Sequence, residues 1–265
     1  DLRVAVAGLG GIGLKVAEGL DQGIPGCVLA AVSANDRAKA VERLSHLVPQ
    51  VPVVPLAELE PLADIVVECA PAKLLPDIAE PFLRAGKSAI GLGVGAIPSN
   101  EHLIALARQH GGQIVVPSGA LLGLDAVAAA AEGKIHSVRM VTRKPVRGLA
   151  GAPYLTEHNI EISDIKEPLR IFNGTPREAA VGFPANLNVA VALSLAGIGA
   201  DETTLEIWAD PALGRNVHRV EVVADFATFS MTIENVPSDN PKTGRITALS
   251  VISTLRKLGA PLRIG

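Results

Sequence analysis

Aromatic residues are scarce in this 265-residue chain: it holds five Phe, one Trp and one Tyr, although 48% of it is hydrophobic. Its core must therefore be built from Ala, Val, Leu and Ile, and so apolar a chain is neither disordered nor, without a glycine period, collagen-like. Only two cysteines are present, Cys27 and Cys69. That excludes a disulfide framework and a Cys-rich zinc site, and it suits a reducing cytosol, so a cytoplasmic location is expected. The histidines show no ligand spacing, and no metal is expected. Charge is also unremarkable, with 24 basic and 27 acidic residues, a net of −3 and no run of like sign. Without a basic patch or aromatic platforms, nucleic acid is not an expected partner. Long apolar runs are missing too. The stretch 119–131 is broken by Asp125 and falls short of the roughly 20 residues a membrane helix needs. Arg3 is followed at once by a glycine-rich turn rather than by the apolar run of a signal peptide.

What is present changes character along the chain. The first half alternates short β-branched runs (3–8, 27–33, 51–54, 64–69, 88–93, 113–117) with helical spacing (12–20, 36–47, 74–85, 100–110). Continuous apolar strands separated by helices read as βαβ units around a parallel sheet buried on both faces. After Pro117 come a helix (120–131), a strand (134–142), a polar stretch, a helix opening near Pro184, and three successive strands (203–209, 216–225, 228–236). Consecutive strands favour an antiparallel sheet. Six of the seven aromatics lie beyond residue 150. The expected architecture is α/β: a Rossmann dinucleotide-binding domain of residues 1–117 and 241–265, and a second α+β domain of residues 118–240 on an open, largely antiparallel sheet.

Gly8-Leu9-Gly10-Gly11-Ile12-Gly13 fits G-x-G-x-x-G between a strand and a helix. The first glycine permits the tight turn, the second lets backbone approach a pyrophosphate, and the third lets helix and strand pack closely. The helix N-terminus adds N–H groups and a positive dipole end. Gly8, Gly10, Gly11, Ile12 and Gly13 are thus candidate contacts of NAD or NADP, joined by Ala70 just past the strand 64–69. About 20 residues beyond the fingerprint an acid should meet the ribose 2′-OH of NAD. There the chain reads Ser33-Ala34-Asn35-Asp36-Arg37. Asp36 turning back to the ribose would favour NAD, whereas Ser33, Asn35 and Arg37 around a 2′-phosphate would favour NADP. A third reading makes Asn35 or Asp36 simply the N-cap of the next helix. All three stay open.

The second half adds an ordered set of motifs: Pro117-Ser118-Gly119-Ala120 with Gly123-Leu124-Asp125, Phe183-Pro184-Ala185-Asn186-Leu187-Asn188-Val189-Ala190, Asp210-Pro211 before Asn216-Val217-His218, and Asn240-Pro241-Lys242-Thr243-Gly244. Together with the glycine turn, this set resembles the L-aspartate dehydrogenase family from the first strand to the last helix. The resemblance implies NAD(P)-dependent oxidation of L-aspartate to iminoaspartate by a homodimer. The product either hydrolyses to oxaloacetate and ammonia or feeds pyridine nucleotide biosynthesis. It also implies a catalytic role for His218 and cofactor contacts at Asn188 and Ala120.

Read from the residues alone, a strand over 216–225 puts His218 on one face with Val220, Val222 and Ala224. That is the setting of a core histidine as well as of a catalyst, and its place at the strand's start favours a cleft edge. An imidazole titrating near neutrality would serve as general acid and base while hydride leaves Cα and the imine meets water. Lys242 and Thr243 form a compact cationic turn suited to a dicarboxylate, and Arg143-Lys144-Pro145 offers a second. An aldehyde dehydrogenase is disfavoured because no cysteine follows Cys69 to act as nucleophile. Sugar and inositol oxidoreductases of this layout are disfavoured because Gly91-Leu92-Gly93-Val94-Gly95 holds no lysine base. A dihydrodipicolinate-reductase-like enzyme and a non-catalytic nucleotide-sensing module remain as alternatives.

Overall fold

The computed structural model describes residues 1–47, 50–184, 187–237 and 244–264. They form two compact units, one of residues 1–117 with 247–265 and one of residues 118–246.

In the first unit β1 (Leu2–Ala7) leads through the glycine turn into α1 (Gly11–Asp21), β2 (Cys27–Ser33) and α2 (Arg37–Arg43). β3 (Ile65–Glu68), α3 (Leu75–Arg84), β4 (Ser88–Gly91), α4 (His102–His110) and β5 (Gln113–Val115) follow. Among the described residues the sheet is five-stranded, parallel and ordered β2-β1-β3-β4-β5. Val4 to Ala7 and Ile65 to Val67 are buried without interruption, because helices cover both faces of a parallel sheet. The expected strand at 51–54 does not form. Only Val53 bridges, to Val32, since Pro52 and Pro55 bring no N–H to a ladder.

The second unit opens with α5 (Leu124–Ala131) and the long β6 (Ile135–Lys144). Two short helices, α6 (Val146–Leu149) and α7 (Pro153–Glu157), lead to β7 (Leu169–Gly174), α8 (Pro176–Gly182) and α9 (Asn188–Ala196). The strands β8 (Thr204–Ala209), β9 (Asn216–Ala224) and β10 (Thr228–Asn235) complete a sheet ordered β10-β9-β6-β8-β7. It is largely antiparallel, as expected, with one parallel pair that makes it mixed. β8 runs parallel to β6, and β6 lies between the chain-consecutive β8 and β9. A parallel pair needs a long crossover, and residues 145–203 supply it. Thr175 and Glu178 close a capping box at α8, with Pro176 at its first position. Tyr154, Phe172 and Phe183 meet in one aromatic cluster, with centroids 5.0 to 5.7 Å apart.

Last, α10 (Ile246–Gly259) rejoins the first unit. Its Val251 and Leu255 are fully buried in the core that holds Val4, Val16 and Cys27. Close approach is possible here because Gly26 and Gly259 face each other without side chains.

Candidate active site

The glycine turn has the geometry its spacing implies. Gly8 has φ +99°, and a Cβ there would lie 2.7 Å from the Cys69 backbone. A Cβ on Gly13 would lie only 1.9 Å from the Gly8 carbonyl oxygen, so the helix packs on the strand only with glycine. By contrast, nothing lies within 4 Å of a Cβ built on Gly10 or Gly11, which leaves the backbone at the start of α1 open to a ligand. Gly11, Ile12 and Gly13 form the first turn of that helix and Gly10 caps it.

A cavity of about 680 Å³ lies beside the turn, lined by Gly8, Gly10, Ser33, Asp36 and Ala70 among others. These five expected cofactor contacts are thus brought together in a space fit for a dinucleotide. Ser33 is buried, and its carbonyl accepts from the N–H of Gly8 at 2.8 Å. The Asp36 carboxylate accepts from the N–H of Lys39 at 3.0 Å, so the N-cap alternative describes it.

The cavity wall depends on a residue that sequence reasoning passed over. Glu68 at the end of β3 is fully buried, and its carboxylate accepts from the N–H groups of Ala70 (3.1 Å), Leu92 (3.0 Å) and Gly93 (2.6 Å). Burial pushes its proton affinity up, against those three bonds. One carboxylate thereby ties the loop after β3 to the loop after β4. The signal was a single acid ending the otherwise apolar run 65–68. Burial and the neighbouring Glu68 also drive the Cys69 thiol far up, which removes it as a nucleophile.

In the second unit, period two along β6 and β9 sends Val138, Met140, Val220, Val222 and Ala224 to one buried face. At one end this apolar face turns polar. Thr142, Lys144, Asn216, His218 and Asn235 are each no more than 9% exposed. Register explains their meeting: Thr142 stands opposite His218, and Asn216 opposite Asn235. Thr142 Oγ1 lies 3.2 Å from His218 Nδ1. Asn235 donates from Nδ2 to the carbonyl of Ala120 at 2.8 Å, which seats the S-G-A motif beside the cluster. The side-chain oxygens of Asn216 and Asn235 are buried with no hydrogen-bond partner among the described residues, and such atoms are costly to leave so unless a further group meets them. Burial, with the nearby Lys144 charge, pushes His218 down to about 3. The imidazole is therefore neutral at physiological pH and does not titrate near neutrality as expected from its type.

Asn188 is the exposed first residue of α9. Lys242 and Thr243, the expected dicarboxylate turn, lie outside the described residues. Thr142 and Asn235 escaped notice in the sequence, although polar residues on an apolar strand face were the available sign. Among the described residues there is no group of three or more His, Cys, Asp or Glu able to hold a metal, and no helix is long and apolar enough to cross a membrane.

A G-x-G-x-x-G turn over a parallel sheet, joined to a mixed-sheet unit, defines the class as a two-domain NAD(P)-dependent oxidoreductase. Residues 8–117 match the family described as homoserine dehydrogenase, NAD binding domain, and residues 125–258 match aspartate dehydrogenase, C-terminal. The chain is 58% identical over 265 residues to L-aspartate dehydrogenase of Bradyrhizobium diazoefficiens, covering 100% of this chain and 94% of that one. It is also 58% identical over 266 residues to L-aspartate dehydrogenase 3 of Bordetella bronchiseptica, covering 100% and 98%. The crystal structure of aspartate dehydrogenase from Thermotoga maritima superposes with a TM-score of 0.76 at 26% identity, covering 100% of both chains. The chain belongs to the aspartate dehydrogenase family and is an NAD(P)-dependent amino-acid dehydrogenase.

Proposed function

We propose that this protein oxidises L-aspartate to iminoaspartate, with His218 as general acid/base. The observation that carries this is the buried polar end of an otherwise apolar sheet face: a neutral imidazole against Thr142, a buried lysine on the same strand as Thr142, and two amide oxygens without a partner among the described residues. The dinucleotide, held by the glycine turn, Ser33 and Ala70 and contacted by Ala120 and Asn188, supplies the hydride acceptor. This chain's residues hold the amino acid and move its protons. Lys144 meets a substrate carboxylate, and the Asn216 and Asn235 oxygens accept from the substrate ammonium. Lys242 and Thr243 contact the second carboxylate.

In the tautomer whose Nδ1–H donates to Thr142 Oγ1, the Nε2 lone pair is left to take a proton from the substrate ammonium. Burial and the Lys144 charge both hold the imidazole neutral; the two substrate carboxylates offset the Lys144 part, which favours movement of the proton to Nε2 once substrate is bound. The same nitrogen returns a proton as water attacks the imine. Iminoaspartate then hydrolyses to oxaloacetate and ammonia, or it enters pyridine nucleotide biosynthesis.

The cytoplasm is the compartment that suits so thiol-poor a chain, and a homodimer is the assembly to test by light scattering. Function is tested by mixing the protein with NAD⁺ or NADP⁺ and L-aspartate and, separately, with NADH or NADPH and a cyclic imine. Reduction of the dinucleotide by L-aspartate supports the proposal. Turnover of the imine alone would replace it with a dihydrodipicolinate-reductase-like activity.

A further inference from the structure

The cavity beside the glycine turn carries a charge pattern that distinguishes the two dinucleotides. A dinucleotide site built for NAD presents an acid to the ribose 2′-OH at the end of the second strand, whereas NADP is accommodated by a nearby cation. Here β2 ends at Ser33, and Ala34 and Asn35 follow, so no acid stands at the strand end. The nearest acid, Asp36, accepts from the N–H of Lys39 as a helix cap.

Cations line the same wall. Arg37, Lys39 and Arg43 border the cavity with Ser33, Asn35 and Asp36. Arg43 is held by its own bond, Nη1 donating to the Leu9 carbonyl inside the glycine turn at 2.8 Å. That bond places a guanidinium against the turn and leaves its remaining N–H groups for an anion, since guanidinium presents five donors. Arg37 is anchored likewise, Nη2 to the Val53 carbonyl at 2.9 Å, and Lys39 is exposed beside them. Three cations around one capping carboxylate suit a phosphomonoester far better than a hydroxyl.

We propose that this chain selects NADP over NAD, with Arg43 and Lys39 as the residues that recognise the 2′-phosphate and Arg37 beside them. The proposal deepens the dehydrogenase reading and rests on the cavity being the dinucleotide site.

Binding tests it without turnover. The protein is titrated with NADPH and NADH by nicotinamide fluorescence, and with 2′,5′-ADP and 5′-AMP by calorimetry. NADPH should bind about tenfold tighter or more, and 2′,5′-ADP should outbind 5′-AMP by a similar factor, as expected for charge-assisted bonds to one phosphate. Lys39→Ala leaves the bonds of the glycine turn in place and should weaken NADPH several-fold with NADH within about twofold, and Lys39→Ala with Arg43→Ala should remove most of the preference. Ala34→Asp, which restores a strand-end acid, should reverse it. NADH binding as tightly as NADPH, or the double variant weakening both equally, overturns the proposal while leaving the dehydrogenase intact. If neither dinucleotide binds, the dehydrogenase reading fails with it.

Discussion

Burial and the Lys144 charge hold His218 neutral well below the range in which a free imidazole titrates. This has a consequence for stability. Between the ordinary value of 6.5 and the folded value of about 3, the unfolded chain binds a proton that the folded chain refuses. Stability should therefore fall as pH drops from about 6.5 towards 3, on the order of 5 kcal/mol over the full span, and be indifferent to this group at higher pH. Urea midpoints at about pH 7 and about pH 4 check this, and His218→Asn should flatten the acid-side loss. For catalysis, His218→Ala should keep the fold and lose roughly 10²- to 10⁴-fold in turnover, the range of a general acid/base. Thr142→Val should lower kcat with little change in dinucleotide affinity, because Thr142 acts through the ring it orients. Period two already placed His218 with Val220 and Val222. What the sequence did not reveal was its company, since Thr142 and Lys144 join it through the pairing of β6 with β9, strands far apart in the chain.

At the scale of elements, the glycine turn is where sequence and structure agree most closely, because its constraints are local. Gly13→Ala should abolish dinucleotide binding and destabilise the first unit, the new Cβ overlapping the Gly8 carbonyl. Gly11→Ala meets open space in a helical turn and should raise the thermal midpoint, by about 0.5–1 kcal/mol of stability. Paired measurements by calorimetry separate crowding from glycine loss as such. Elements read less well where the cause is not local. The strand at 169–174 lies within the segment read only as a polar stretch; a bulge between Arg170 and Phe172 shifts its register and leaves Ile171 and Phe172 both buried, so no period of two marks it. The order of the mixed sheet was hidden for a related reason. β8 joins β6 across a crossover of intervening helices, and nothing in the 203–209 pattern states its neighbour.

Across the whole molecule, each compact unit has its own apolar interior, and the scarcity of rings divides unevenly between them. Phe82 is the sole aromatic of the first unit and is buried there, while Tyr154, Phe172 and Phe183 cluster in the second. The first unit is completed only by the end of the chain. Leu255→Ala, emptying a fully buried position next to Cys27, should cost about 2–5 kcal/mol in chemical denaturation and weaken dinucleotide binding with it. The most direct test of the central claim is the initial rate of NADPH and NADH formation from a panel of L-amino acids, with His218→Ala as the control. Turnover of L-aspartate above all others, nearly lost in His218→Ala, is the expected result. A folded, dinucleotide-binding protein that is silent with L-aspartate, or a His218→Ala variant with unchanged rate, would contradict it.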